Sequence, residues 1–262
     1  MMKEKKIYQV KYVISGSVIE RYTYEKNQFV GFEPKNKNGK NSNGLKSDEN
    51  RGISLGRARK IVMRTINSNQ CLNKFLTLTF EENITDLNYS NNELKKWIKR
   101  VNYQVFKTKK SEMRYVAVIE FQKRGAVHYH ILCNLPYIDV NSLAETWGHG
   151  FIKLNRIKGD KKRFGSDECD NVGAYVCKYM TKDNDDERLK GRKSYLMSQN
   201  LDKPQEIYVG INEKDLLEQV YGLEPFWYCK LNETNYSSAY TNDFTGTVLY
   251  NQFNLKRRLN QE

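Results

Sequence analysis

The chain spends two of its three histidines, His128 and His130, on either side of a single tyrosine in the stretch VAVIEFQKRGAVHYHILCNLP. In an extended segment residues two apart project to the same face, so both imidazoles stand side by side while Tyr129 turns away. Two imidazoles so placed can hold one divalent ion, or they can simply pack as half-buried side chains. Glu120 precedes His128 by eight residues, and a short Lys-Arg-Gly turn between them folds the chain into a hairpin that brings the carboxylate back across from the histidines. A carboxylate sits badly in the apolar run VAVIEF. A metal would offset its burial, as could Lys123 or Arg124 in the turn. Two imidazoles and one carboxylate leave coordination positions open, which is the pattern of a catalytic metal site rather than a closed structural one. Cys133 has the opposite parity from His130 and is not expected among the ligands.

A second cluster follows in GAYVCKYMTKD. Tyr175 and Tyr179 are four apart, on neighbouring turns of one helical face, and each is followed three residues later by a lysine, Lys178 and Lys182. Val172, Val176 and Met180 make the buried stripe, with Tyr179 at its edge and Tyr175 one step further out. Both rings can border a cleft, or be amphipathic side chains beside two solvated lysines. The chemistry that calls for tyrosine is DNA cleavage that conserves the phosphodiester energy, because a phenol can hold the strand covalently and be displaced again. Its unperturbed pKa of about 10 keeps it protonated at neutral pH. Lys182 or Lys178 would favour the phenolate, or would hold a phosphate instead.

The elements that must position these groups can be read around them. Residues 7–24 alternate about Ser15, Gly16 and Ser17 as a β-hairpin, and the Asn/Lys/Gly-rich stretch 32–52 reads as a mobile loop. RGISLGRARKIVMRTINSN is a basic amphipathic helix carrying Arg57, Arg59 and Arg64, and KFLTLTF is a strand. SNNELKKWIKRVNYQVFK is a helix capped by Ser90 or Asn91. RYVAVIEFQ and AVHYHILCNL form the hairpin of the histidines, DVNSLAETWGHG is a short helix closed by glycine, and FIKLNRI is a strand. NVGAYVCKYMTKD is one helix, ERLKGRKSYLMSQNLDKP a basic segment, and the region after Ile207 holds a helix near DLLEQVYG among aromatic-rich strands. His149, in WGHG, touches DNA or caps a helix. The order of elements predicts an α+β fold, an antiparallel sheet with helices packed on it.

Composition narrows the partners. The 44 Lys and Arg against 31 Asp and Glu give a net charge of +13, and 12% of residues are aromatic, which suits a polyanion with unstacked bases. Five cysteines without a CxxC pair indicate neither a disulfide framework nor a four-cysteine zinc site. No run is apolar enough to span a membrane and MMKEKKIYQV has no signal-peptide core, so a cytoplasmic protein is expected. GKNSNGLK lacks the Lys-Ser/Thr pair of a phosphate-binding loop, so strand separation would fall to a partner helicase.

His128-Tyr129-His130 resembles the metal motif of the HUH endonucleases, in which U is a hydrophobic residue, and EFQKRGAVHYH resembles their second motif as a whole. KFLTLTF resembles the first motif and the tyrosine helix the third, in the same order, over roughly residues 51–210. The resemblance implies an RRM-like core within residues 1–206, N-terminal hairpin included, with 207–262 as a C-terminal extension. It implies Mg²⁺ or Mn²⁺ on Glu120, His128 and His130. Initiators of microvirus type carry paired tyrosines at this spacing that alternate in cleaving and rejoining. Some plasmid initiators have a Lys-Tyr-x-x-Lys-Asp motif, matched by KYMTKD at Tyr179, with a glutamate where Tyr175 stands. The resemblance therefore gives Tyr179 the first cleavage and Tyr175 the second transfer. LKGRKSYLMSQNLDKP resembles a segment that follows the tyrosine helix in such proteins, with Lys190, Arg192 and Lys193 as phosphate contacts or as a solvated basic loop. Arg57, Arg59 and Arg64 carry the same two readings. The implied activity is rolling-circle initiation, a metal-dependent nicking and joining of single-stranded origin DNA, held in a hairpin, with a host helicase and polymerase as partners. A relaxase or single-strand transposase would use the same chemistry, although relaxases usually place their tyrosines before the histidines. From another class, a basic nucleic-acid-binding module would use the histidines structurally.

Overall fold

In the computed structural model, residues 7–31, 47–155, 157, 169–180, 186–210 and 235–256 are described. In chain order the elements are β1 (Ile7–Ser15), β2 (Val18–Phe29), α1 (Ser47–Ser68), β3 (Lys74–Thr79), α2 (Leu87–Phe106), β4 (Tyr115–Phe121) and β5 (Val127–Cys133). There follow α3 (Val140–Trp147), β6 (Ile152–Asn155), α4 (Val172–Cys177), β7 (Tyr195–Met197), β8 (Gln205–Val209), β9 (Tyr236–Asn242) and β10 (Gly246–Asn254). The fold is α+β, as the element order predicts, with two antiparallel five-stranded sheets. The chain divides into two compact units, residues 42–203 and residues 1–41 with 204–262.

In the first unit the strands run in the order β6-β3-β5-β4-β7. Leu76, Leu78, Ala117, Ile119, Tyr129, Ile131 and Ile152 line one face and pack on Leu94, Trp97 and Val101 of α2 and on Leu143 and Trp147 of α3. Alternation along each strand gives the opposite face a different set. There Phe75, Val116, Val118 and Leu132 pack on Val62 and Ile66 of α1 and on Val176 of α4. The β4–β5 turn needs its glycine, since Gly125 has a φ of +87° and its N–H donates to the Gln122 carbonyl.

Several local expectations need correction. Residues 32–46 of the predicted loop lie outside the described residues, but its end, from Ser47, is already α1; the sequence SDEN there has the composition of a first helical turn. The cap of α2 is Asp86, not Ser90 or Asn91: its carboxylate accepts from Asn88 N at 2.8 Å and so claims the first free amide. The tyrosine segment is not α-helical throughout. After Cys177 it tightens to a 3₁₀ turn over Lys178–Met180, and the Lys178 amide reaches the Tyr175 carbonyl three residues back. The basic segment contains an unforeseen edge strand, β7, which pairs with β4. The helix expected near DLLEQVYG lies outside the described residues.

In the second unit the order is β8-β1-β2-β10-β9. The expectation groups the N-terminal hairpin with the chain up to residue 206, whereas its ladders run to β8 and β10. Val10, Tyr12, Ile19, Ile207, Val209 and Phe253 form one small core, and Val13, Tyr22 and Val248 another. Glu20, 1% exposed, accepts hydrogen bonds at 3.0 Å from the hydroxyls of Tyr22 and Tyr250.

Candidate metal centre and tyrosine pair

Register brings the three candidate ligands together. Glu120 pairs directly with His128 across β4 and β5, and His130 lies between Val118 on β4 and Thr77 on β3. One donor atom from each of Glu120, His128 and His130 falls within 4.8 Å of the others. The Glu120 carboxylate contacts His130 Nε2 directly. The other ring nitrogen, Nδ1, lies 3.0 Å from the Thr77 hydroxyl, which itself accepts from Asn155 Nδ2 at 2.6 Å. That contact orients the ring and leaves Nε2 facing the carboxylate, as a ligand histidine requires.

His128 supplies the test of whether these residues fit a metal. Its Nε2 is buried and has no hydrogen-bond partner. Burial above all, then the neighbouring His130, pushes its pKa down to about 4 against the pull of Glu120. It is therefore a neutral imidazole at neutral pH, with a buried polar atom left unsatisfied, and such an atom is costly. A divalent cation among the three donors is the partner it lacks, so the donor set fits. Arg124 is engaged elsewhere: its guanidinium donates to the Gln122 side chain and to the carbonyls of Phe80 and Glu81.

The tyrosines reach this centre because α4 is seated tightly on α1. Asn171 caps α4 by accepting from Ala174 N at 2.9 Å, and Asn67 of α1 both donates to Asn171 Oδ1 and accepts from Gly173 N, each at 2.9 Å. A Cβ on Gly173 would meet the Met63 carbonyl oxygen at 2.4 Å, so only glycine permits this approach. With α4 so placed, the Tyr179 ring stacks on His130 with centroids 3.8 Å apart and planes 29° from parallel. Phe75 is the floor, 5.6 Å from Tyr179, 5.8 Å from Tyr175 and 5.9 Å from His130. Tyr175 touches the cluster through Phe75 and through Tyr179, 6.2 Å away. Burial, hydrogen bonding to Tyr175 and the nearby Glu120 push the Tyr179 phenol up to about 12. Lys178 lies over the Tyr175 ring at 5.3 Å. Lys182 falls outside the described residues.

The expected phosphate contacts scatter more widely. Arg57 is exposed and Arg59 and Arg64 are half-buried on α1, where the Arg59 carbonyl accepts from the Cys177 thiol at 3.4 Å. Lys190, Arg192 and Lys193 are all exposed. Arg192 donates to Asn88 at the start of α2. The pairing of Ile119 N with the Ser194 carbonyl puts Lys193 at the end of the sheet that carries Glu120. His149 joins Glu93 of α2 at 3.1 Å and packs beside Trp147, away from the three ligands. Sequence reasoning missed Phe75, Thr77 and Asn155. The first two were within reach, since the parity rule applied to the histidines also places Phe75, Thr77 and Thr79 on one face of KFLTLTF.

Residues 73–184 match a family model of replication-associated proteins, the ORF2 type, and this span holds Glu120, His128, His130, Tyr175 and Tyr179. No curated protein and no solved structure gives a match. Among the described residues no helix is long and apolar enough to cross a membrane.

Proposed function

We propose that the chain is a rolling-circle replication initiator, a metal-dependent, site-specific endonuclease and strand transferase acting on single-stranded origin DNA held in a hairpin. The observation that carries this reading is the Tyr179 ring stacked at 3.8 Å on His130, inside the segment similar to replication-associated proteins. We assign the activity to residues 42–203.

Glu120, His128 and His130 would hold Mg²⁺ or Mn²⁺, both of which accept such donors when phosphate oxygens complete the set. A bound ion supplies charge to the non-bridging oxygens of the scissile phosphate and favours the phenolate. Tyr179 Oη attacks phosphorus and forms a 5′-phosphotyrosine as the bond to the 3′ oxygen breaks. The phenolic proton passes to water, and the 3′ oxygen takes one from water to leave as a hydroxyl for a host polymerase. Tyr175 attacks the regenerated junction in the second transfer, and the new 3′ hydroxyl displaces Tyr179 to close the circle. Lys178 and Lys182 favour the phenolates or hold a phosphate. Arg57, Arg59, Arg64, Lys190, Arg192 and Lys193 contact the backbone, and a host helicase separates the strands.

Mass spectrometry of the protein–DNA adduct formed on single-stranded origin DNA with Mn²⁺ tests this directly. The adduct is expected on Tyr179 and absent in Tyr179→Phe. Tyr175→Phe should still nick once but fail to release closed circles. No adduct in the wild type would sink the mechanism.

A further inference from the structure

The row of the sheet that carries the metal ligands continues past them to an aromatic side chain. Glu120 pairs with His128 and His128 with Thr79. Thr79 in turn exchanges two backbone hydrogen bonds with Phe151, Thr79 N to Phe151 O at 2.9 Å and Phe151 N to Thr79 O at 3.1 Å. Strands lie about 4.8 Å apart, so Phe151 stands about 10 Å along this row from His128. Its face is fixed by its neighbours: Ile152 belongs to the core under α2 and α3, so Phe151 projects on the side of the histidines and tyrosines.

Phe151 is 66% exposed. Lone exposed apolar side chains are ordinary; what singles this one out is its row and its rigidity. Gly150 has a φ of +137°, and a Cβ there would lie 2.5 Å from Glu81 N and 2.7 Å from the Thr79 carbonyl oxygen, so the backbone leading into Phe151 has little room to move. Lys153, exposed, follows on the same face opposite Thr77. A fixed ring beside a cation is how single-stranded nucleic acid is held, with the base on the ring and the phosphate on the charge.

We infer that Phe151 is the stacking platform for an unpaired base next to the scissile phosphate. The inference rests on the proposed cleavage of single-stranded DNA and adds the place where a base is bound. Fluorescence anisotropy of the full chain compares a labelled oligothymidine of about 16 nucleotides with an abasic strand of the same length. Phe151→Ala should weaken binding to oligothymidine about five- to hundredfold and leave binding to the abasic strand unchanged. Phe151→Trp should restore affinity, and Mn²⁺ binding followed by electron paramagnetic resonance should be the same in both variants. Unchanged affinity of Phe151→Ala for oligothymidine overturns the inference while leaving nicking through Tyr179 in place. An equal loss on both strands makes Phe151 a scaffold residue and overturns it as well. A wild-type chain that binds neither strand and forms no adduct removes the inference together with the proposed function.

Discussion

Glu20 on β2 and Glu120 on β4 are both carboxylates set among apolar neighbours, in SVIERY and VAVIEF, and the two sheets satisfy them differently. Glu20 is enclosed by its own unit and receives two tyrosine hydroxyls at 3.0 Å. Glu120 faces two imidazoles, one of which keeps a buried nitrogen without a partner. A buried glutamate in a strand is thus no metal signal by itself. What separates the two is the unsatisfied atom on His128, together with the tyrosine ring laid on His130. Charge follows the same division. Residues 42–203 hold 30 Lys and Arg against 19 Asp and Glu, a net +11, whereas the remainder is close to neutral at +2. The polyanion preference read from the whole chain therefore belongs almost wholly to the unit with the histidines.

The largest expected effect comes from removing a ligand. His128→Ala or His130→Ala should lower nicking by about a thousandfold or more, as loss of a catalytic charge stabiliser does, with DNA binding largely kept. Nicking at the wild-type rate in either variant would dissolve the contrast with Glu20. Next, Thr77→Val removes the hydroxyl that orients His130. Calorimetric Mn²⁺ affinity should fall about ten- to hundredfold, and Thr77→Ser should restore it. On the other sheet, Glu20→Ala strips two buried hydroxyls of their acceptor. It should cost about 1–3 kcal/mol in urea unfolding and leave Mn²⁺ affinity unchanged. A metal defect in that variant would mean the two carboxylates are not independent.

The smallest effect is a pH slope. His128 has its pKa lowered from 6.5 to about 4 in the folded chain, so between those values the unfolded chain binds more protons and stability rises with pH. In chelator, stability should hold above about pH 6.5, fall as the pH drops towards 4, and level off below. His128→Gln should flatten that part of the curve; an unaltered slope would place its origin in another group.

Much of the first unit could be read from the chain because its signals are local. The histidine hairpin spans 115–133 with a glycine turn, and the parity of Glu120, His128 and His130 needs only period-two reasoning. The rest depended on pairings between distant segments. Asn155 reaches Thr77 only because β6 lies beside β3, and Phe151 joins the ligand row through the same pairing. The second sheet closes when β2 meets β10 more than 200 residues later, a contact no local pattern announces. A three-residue strand such as β7 is too short to show alternation. The cap of α2 was misplaced because TDLNYSNN offers several capping residues in a row and the earliest one takes the role.

The contact at Gly173 has a consequence at the level of the codon. Glycine is encoded with any base in the third position, so every missense change there alters the first or second base and introduces a residue with a β-carbon. Each would push at least one carbon into the space held by the Met63 carbonyl, 2.4 Å away. Such alleles should share one phenotype whatever the new side chain. The metal ligands stay on their strands, while α4 lifts from α1 and takes both tyrosines with it. A collection of replication-defective mutants should therefore return this codon repeatedly, as a class whose protein still binds metal and DNA but leaves the strand uncut.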